Sequence, residues 1–242
     1  MNLVYNKLTE SLQTGFINQN TPSYIEYLPQ LLVNDKKEGK KVLSTILQQL
    51  NTCEEFWFSV AFITTNGVAT LIETLNDLEK RGIKGKILVS QYLNFTQPEA
   101  LKRLLKFKNL ELKIAIEGAF HSKGYLFKRQ DIYDLIMGSS NLTSTALCTN
   151  IEWNLKISAT PISHIIFNAI KEFTSEFEKG INVDFSFIKN YEILYKKQLD
   201  FSKLLKDEVI ISNQRGIIPN LMQLEALNNI EYLRSQNKNK AL

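Results

Sequence analysis

Phe120-His121-Ser122-Lys123, then Gly138-Ser139-Ser140-Asn141, then Glu152, is the stretch whose reading decides this chain. It gathers a nucleophile, a cation, small polar donors and a carboxylate, the side chains needed to attack a phosphodiester without a metal ion. His121 is one of two histidines among 242 residues, so a catalytic reading rests on it. A phosphodiester is an anion whose charge must be neutralised before a nucleophile approaches. Lys123 follows His121 by two residues, and on a strand that spacing turns both side chains to one face. Tyr125 and Phe127 on one parity, with Leu126 on the other, fit a buried strand. Leu135-Ile136-Met137 reads as a second strand, ending at Gly138-Ser139 in a tight turn where backbone can approach a ligand closely. Ser139 and Asn141 supply hydroxyl and amide donors at period-2 spacing. Glu152 would accept a hydrogen bond from one imidazole nitrogen of His121 and leave the other to attack phosphorus.

Each residue has a plainer reading when taken singly. A lone histidine near a strand is more often structural, Gly-Ser-Ser-Asn is an ordinary turn, and Glu152 is an ordinary surface acid. The ordered combination carries the case, and it resembles the phospholipase D superfamily, whose signature is H-x-K, then G-S-x-N, then a downstream Glu. Here it reads His121-Ser122-Lys123, Gly138-Ser139-Ser140-Asn141-Leu142-Thr143 and Asn150-Ile151-Glu152-Trp153-Asn154. Phe58-Ser59-Val60-Ala61-Phe62-Ile63 is similar to the first core strand of single-motif, nuclease-like members. The resemblance covers about residues 40–180. One departure is Lys128, which stands where many members carry an Asp; nuclease-like members often lack that Asp, which favours their branch over the lipases. Asp131 and Asp134 lie nearby, and neither is taken as its substitute.

The resemblance implies a two-step mechanism. His121 would attack phosphorus to give a phosphohistidine that water resolves, and a second histidine would protonate the leaving oxygen. Lys123 and Asn141 would hold the phosphoryl oxygens, Ser139 would assist and Glu152 would orient an imidazole. Family members use two facing copies of H-x-K, and this chain has one, with no internal repeat. The other histidine, His164, lacks a motif lysine and is expected on or beside the polar face of a helix whose apolar face is Ile162, Ile165, Ile166, Ala169, Ile170, Phe173 and Phe177. The second copy is therefore expected from another chain, in a C2 homodimer with a shared active site.

Composition fits a cytoplasmic globular enzyme. At 44% hydrophobic and 22% charged residues the chain can bury a sizeable core. A net charge of +4 permits nucleic-acid binding without demanding it. Cys53 and Cys148 form no metal spacing, so no cofactor is expected for the phosphodiesterase step. Met1–Tyr5 does not read as a signal peptide, and no run reaches the ~20 apolar residues of a membrane span.

Periodicity gives an α/β fold: a phospholipase D-like mixed β-sheet flanked by helices, one domain (39–182) plus N-terminal (1–38) and C-terminal (183–242) helical extensions. Val42–Leu50 predicts a helix, 55–62 a strand, and Val68, Leu71, Ile72, Leu75 and Leu78 a single amphipathic helix ending at Arg81-Gly82. Lys86–Ser90 and Leu110–Ile116 read as strands around a helix opened by Pro98. Ile151–Ser158 completes the sheet, and the helix over 161–178 packs on it.

Ser140, Thr65 and Asn66 are candidate substrate contacts, the last two at a helix start suited to phosphate; capping is the heavier reading for Asn66. Tyr92, Asn94 and Thr96 either line the cleft or form a plain loop. Trp153 reads as packing rather than base stacking, and Lys102, Arg103, Lys106 and Lys108 as a solvated face before a DNA-steering patch. Ile217–Leu227 resembles the lead-in to a superfamily 2 helicase motor, although no G-x-x-x-x-G-K-[ST] occurs. That implies a larger nuclease–helicase protein, with ATP needed only in a motor absent from this chain. The leading function is a metal-independent nuclease acting on DNA, or on RNA. The alternatives are a non-catalytic nucleic-acid-binding module serving a helicase, and a lipid or small-molecule phosphodiesterase, against which the missing apolar membrane patch counts.

Overall fold

The computed structural model describes residues 3–91, 95–116 and 120–212, with side chains through residue 200. Tyr92, Asn94 and the Ile217–Leu227 segment lie outside the described residues. A second compact unit begins at Ser186, within helix α8 (Phe185–Ser212), where Tyr191 stacks on Phe187.

Alternating buried and half-buried residues make β2 (Glu55–Val60) a strand with two covered faces. It pairs in parallel with β3 (Lys84–Val89), which pairs in parallel with β4 (Leu110–Ile114). On its other side β2 runs antiparallel to β5 (Lys123–Arg129), and β6 (Ile132–Gly138) and β7 (Asn154–Ala159) continue that half. Two short strands, β1 (Gln30–Leu32) and β8 (Ile181–Asn182), close the edges in the order β1-β7-β6-β5-β2-β3-β4-β8. The expected α/β fold with a mixed sheet is what forms.

One face packs Phe56, Phe58, Tyr125 and Phe127, all buried, with Phe58 edge-on to both Tyr125 and Phe127. Helix α2 (Val42–Thr52) buries Val42, Ile46 and Leu50. The opposite face carries Trp57, Leu126, Leu135 and Ile157 under α7 (His164–Lys179), where Trp57 stacks on Phe173. Ile166, Ala169, Ile170 and Phe173 serve that face as their spacing predicts, but Ile162 lies before the helix and is exposed, as is Ile165. Ser163 caps α7 by accepting from Ile166 N–H, so the helix starts at His164, two residues after Ile162.

The single helix expected through Val68–Leu78 is two: α3 (Thr65–Ala69) and α4 (Ile72–Lys80). The Thr70 hydroxyl donates to Gly67 O at 2.7 Å, a local bond that competes with the helix ladder. The apolar face survives the break, because Val68, Leu71, Leu75 and Leu78 are all buried. Gly82 ends α4 at φ 71°.

The amino-terminal segment is more than an appendage. After α1 (Leu3–Phe16), β1 extends the sheet against β7, and Leu8 and Tyr27 pack on Ile132. Beneath them Asp134 is fully buried; it accepts from Arg129 Nε at 2.7 Å and Ser158 Oγ at 2.5 Å, with Lys156 Nζ 3.9 Å away. Arg129 also reaches Glu26, and Lys156 Nζ donates to Glu26 O, so one buried carboxylate organises two cations and ties the segment down. Burial pushes the Lys156 ammonium below its usual pKa, against the pull of Asp134. Asp134→Ala leaves two cations facing an apolar site; we expect about 3 kcal/mol of lost stability in urea unfolding.

Candidate active site

The sheet ends place the signature residues at one edge. Val60 closes β2 opposite Lys123, which opens β5, and Gly124 is in register with Met137 just before Gly138 at the end of β6. His121 therefore precedes the strand instead of lying on it. The pair still meets: Lys123 Nζ lies 2.9 Å from His121 Nδ1 and 3.3 Å from Nε2, and donates to His121 O at 3.1 Å. Partial burial, and then the Lys123 charge, hold the imidazole pKa below its usual 6.5 and so keep the ring neutral and nucleophilic. Burial likewise lowers Lys123, opposed by the Glu152 carboxylate.

Gly138 serves a close approach of backbone to backbone rather than of backbone to ligand. A Cβ there would sit 2.2 Å from Trp153 O. That contact lets Ser139 N–H donate to Trp153 O at 3.1 Å, while Ser139 Oγ accepts from Trp153 N–H at 3.1 Å. The Ser139 hydroxyl then donates to Glu152 Oε2. The Glu152 carboxylate is thus engaged by the Ser139 hydroxyl. Asn141 is buried and its Oδ1 accepts from Phe62 N–H at 3.3 Å, so its amide nitrogen is what it can offer a ligand.

Ser140 does not face a substrate. It is fully buried, accepts from Asn154 Nδ2 at 2.9 Å, and its carbonyl accepts from the Tyr125 hydroxyl at 2.9 Å. Thr65 also stands back, its N–H given to Gln97 Oε1 at 2.7 Å. The cap of α3 is Thr64, which accepts from Gly67 N–H, and this frees Asn66. Asn66 lines a 420 Å³ cavity together with Ser139, Asn141 and Glu152. Thr96 is buried and donates to Ser90 O at 2.7 Å, a loop staple rather than a cleft residue. Trp153, expected to pack, is 67% exposed, and Ile151 on the other side of Glu152 is 92% exposed. His164, at the start of α7, shares with Lys123 a largely apolar cavity of about 790 Å³ between the helix and the sheet. Among the described residues no group of three His, Cys, Asp or Glu side chains could hold a metal ion, and no helix is long and apolar enough to cross a membrane.

Asn34 escaped the sequence reading altogether. Its Nδ2 donates to Ala146 O and Asn150 O, both at 2.8 Å, and its Oδ1 accepts from Val42 N–H at 2.9 Å. One side chain covers the first amide of α2 and pins the loop leading into Glu152. A half-buried asparagine in a polar segment carries no periodic signal that could have marked it.

A family model described as cardiolipin synthase, PLD-like domain, matches residues 46–181. The fold is similar to that of Nuc from Salmonella typhimurium, a phospholipase D family member: TM-score 0.51 at 17% identity, covering 64% of this chain and 98% of that one. It is similar to NucT from Helicobacter pylori at TM-score 0.51 and 18% identity, with 65% and 99% covered. Phosphatidylserine synthase from Haemophilus influenzae Rd KW20 shares it at TM-score 0.53 and 15% identity, with 75% and 47% covered. At such identities the likeness is one of fold. No curated protein matches the sequence significantly. For the site itself, Asn34→Ala removes three hydrogen bonds and is expected to cost about 1–3 kcal/mol in urea unfolding.

Proposed function

The chain belongs to the PLD-like domain family, and from that premise we propose that it is a metal-independent phosphodiesterase, a nuclease acting on DNA through a phosphohistidine. The observation that carries this reading is the Lys123 ammonium held against the neutral His121 imidazole, with Ser139, Asn141 and Glu152 at the neighbouring strand ends. A phosphodiester seated there places its non-bridging oxygens on Lys123 Nζ and Asn141 Nδ2. His121 attacks phosphorus, a P–N bond forms and the P–O bond to the leaving group breaks. Water then displaces the histidine. No step needs a cofactor, and ATP belongs to the helicase motor whose lead-in the Ile217–Leu227 sequence resembles. We place the activity in the cytoplasm, as a domain of such a helicase-like protein.

The proton for the leaving oxygen comes from the partner's copy of the motif in a homodimer. Support lies in the single H-x-K and in the apolar rim of the site: Ile151 and Trp153 flank Glu152, while exposed Met137 and Ile165 line the cavity that Lys123 opens onto. Light scattering at micromolar concentration should give about twice 27.9 kDa, and Ile151→Glu with Trp153→Glu should yield a monomer without cleavage. A strict wild-type monomer overturns the shared site.

Labelled DNA incubated with the chain in EDTA tests the chemistry. Wild type and His164→Ala should cleave, and His121→Ala should lose about 10³-fold or more. Because the His121 pKa is depressed, the acid limb of the activity profile should have its midpoint below 6.5, and the need for one protonated imidazole should make activity fall again as pH rises further. Binding without cleavage by wild type would favour the binding-module reading, and cleavage by His121→Ala would remove this site assignment.

A further inference from the structure

The 420 Å³ cavity beside Ser139, Asn141 and Glu152 has a chemistry that hydrolysis alone does not require. We infer that it takes an unstacked nucleobase next to the scissile phosphate and makes the chain selective for single-stranded nucleic acid; this rests on the nuclease reading above. Its volume is that of a small-molecule cleft, roughly 300–1,000 Å³.

Charge is the first argument. Among the described lining residues only Glu152 is ionisable, and no lysine or arginine contributes. A second backbone phosphate would meet a carboxylate and no cation, so the group that fits here is uncharged. Hydrogen-bonding capacity is the second. Thr64 and Thr143 are committed as caps, and Gln97 Oε1 accepts from Thr65 N–H. The exposed amides of Asn66 and Asn150 each combine a donor with an acceptor, the pairing that reads a base edge. Asn150 stands in a loop already fastened through its carbonyl to Asn34, so little ordering is needed when a base enters. The third argument is a π-face. Phe62 is half-buried on the cavity wall, set 5.4 Å from Phe95 at an interplanar angle of 51°, and can stack a base of any identity.

A base in a duplex reaches such a cavity only by leaving its stack and its partner, at a cost of a few kcal/mol that a single strand largely avoids. Acyl chains would fit the largely apolar cavity under α7, onto which Lys123 also opens, better than this polar one.

The experiment uses the full chain in EDTA with fluorescent single-stranded oligonucleotides, their duplexes, and single strands abasic at one position flanking the cleaved phosphate. Wild type should cleave the intact strand about tenfold faster than the duplex, and should lose about tenfold when one flanking base is removed. Asn150→Ala and Asn66→Ala should each lower cleavage of the intact strand and add little on the abasic strand, because the base they contact is already gone. Both variants alter exposed side chains, and urea unfolding confirms that they fold. Equal cleavage of duplex and single strand, or indifference to every abasic position, or variant and abasic losses that multiply independently, would overturn the inference while leaving the nuclease intact. Failure of wild type to cleave or bind any DNA sinks the nuclease reading first; hydrolysis of phosphatidylglycerol vesicles in that case would give the cavity to a lipid headgroup and overturn the inference as well.

Discussion

The site depends on how closely the start of β7 approaches the end of β6. At Gly138 there is no room for a β-carbon, since Trp153 O and Asn154 already occupy its place. That proximity allows Ser139 and Trp153 to exchange hydrogen bonds one residue beyond the regular ladder. Only then does Glu152, which precedes the strand, reach the Ser139 hydroxyl. Any side chain at 138 would part the two strands and move the carboxylate and the hydroxyl together. A single steric constraint thus sets two functional groups at once.

From that edge inward, polar groups divide into those that hold the backbone and those left for a ligand. Ser140 and Asn154 satisfy one another beneath the turn, and Tyr125 closes the layer through Ser140 O. Asn141 belongs to both classes: its oxygen anchors Phe62 N–H while its nitrogen remains available. This rigid footing matters because hydrogen-bond donors aid a reaction most when they need no reorganisation as charge develops.

Legibility followed the same division. Strand β2 was readable from its alternation, β5 and β6 from short runs buried on both faces, and the His121-Lys123 pair because its spacing survives even though His121 sits outside the strand. Ser139, Asn141 and Glu152 were legible only as an ordered set. What stayed hidden was decided by contacts distant in sequence. Asn34 bonds to residues 112 and 116 positions away, and β1 is a strand only because β7 offers an edge. The choice between Thr64 and Asn66 as the cap turned on which residue the Leu142 carbonyl fixes: Thr64 N–H donates to Leu142 O, and that sets the start of α3. Trp153 was misjudged because an aromatic residue at a strand start looks like core, whereas this one faces outward beside the site.

The electrostatics of the half-site point the same way as its apolar rim. Burial is the first reason that both pKa values fall; the Lys123 charge lowers His121 further, while the Glu152 carboxylate pulls Lys123 back up. An arriving phosphodiester favours the charged form of both groups: it stabilises the Lys123 ammonium that holds it, while the burial that depresses the His121 pKa keeps the imidazole neutral to attack. The imidazole that becomes a nucleophile this way cannot also donate the proton to the leaving oxygen in the same step. A second imidazole in the opposite protonation state is required, and a lone H-x-K beside exposed Ile151 and Trp153 is what a chain would present if that second group arrived with another copy.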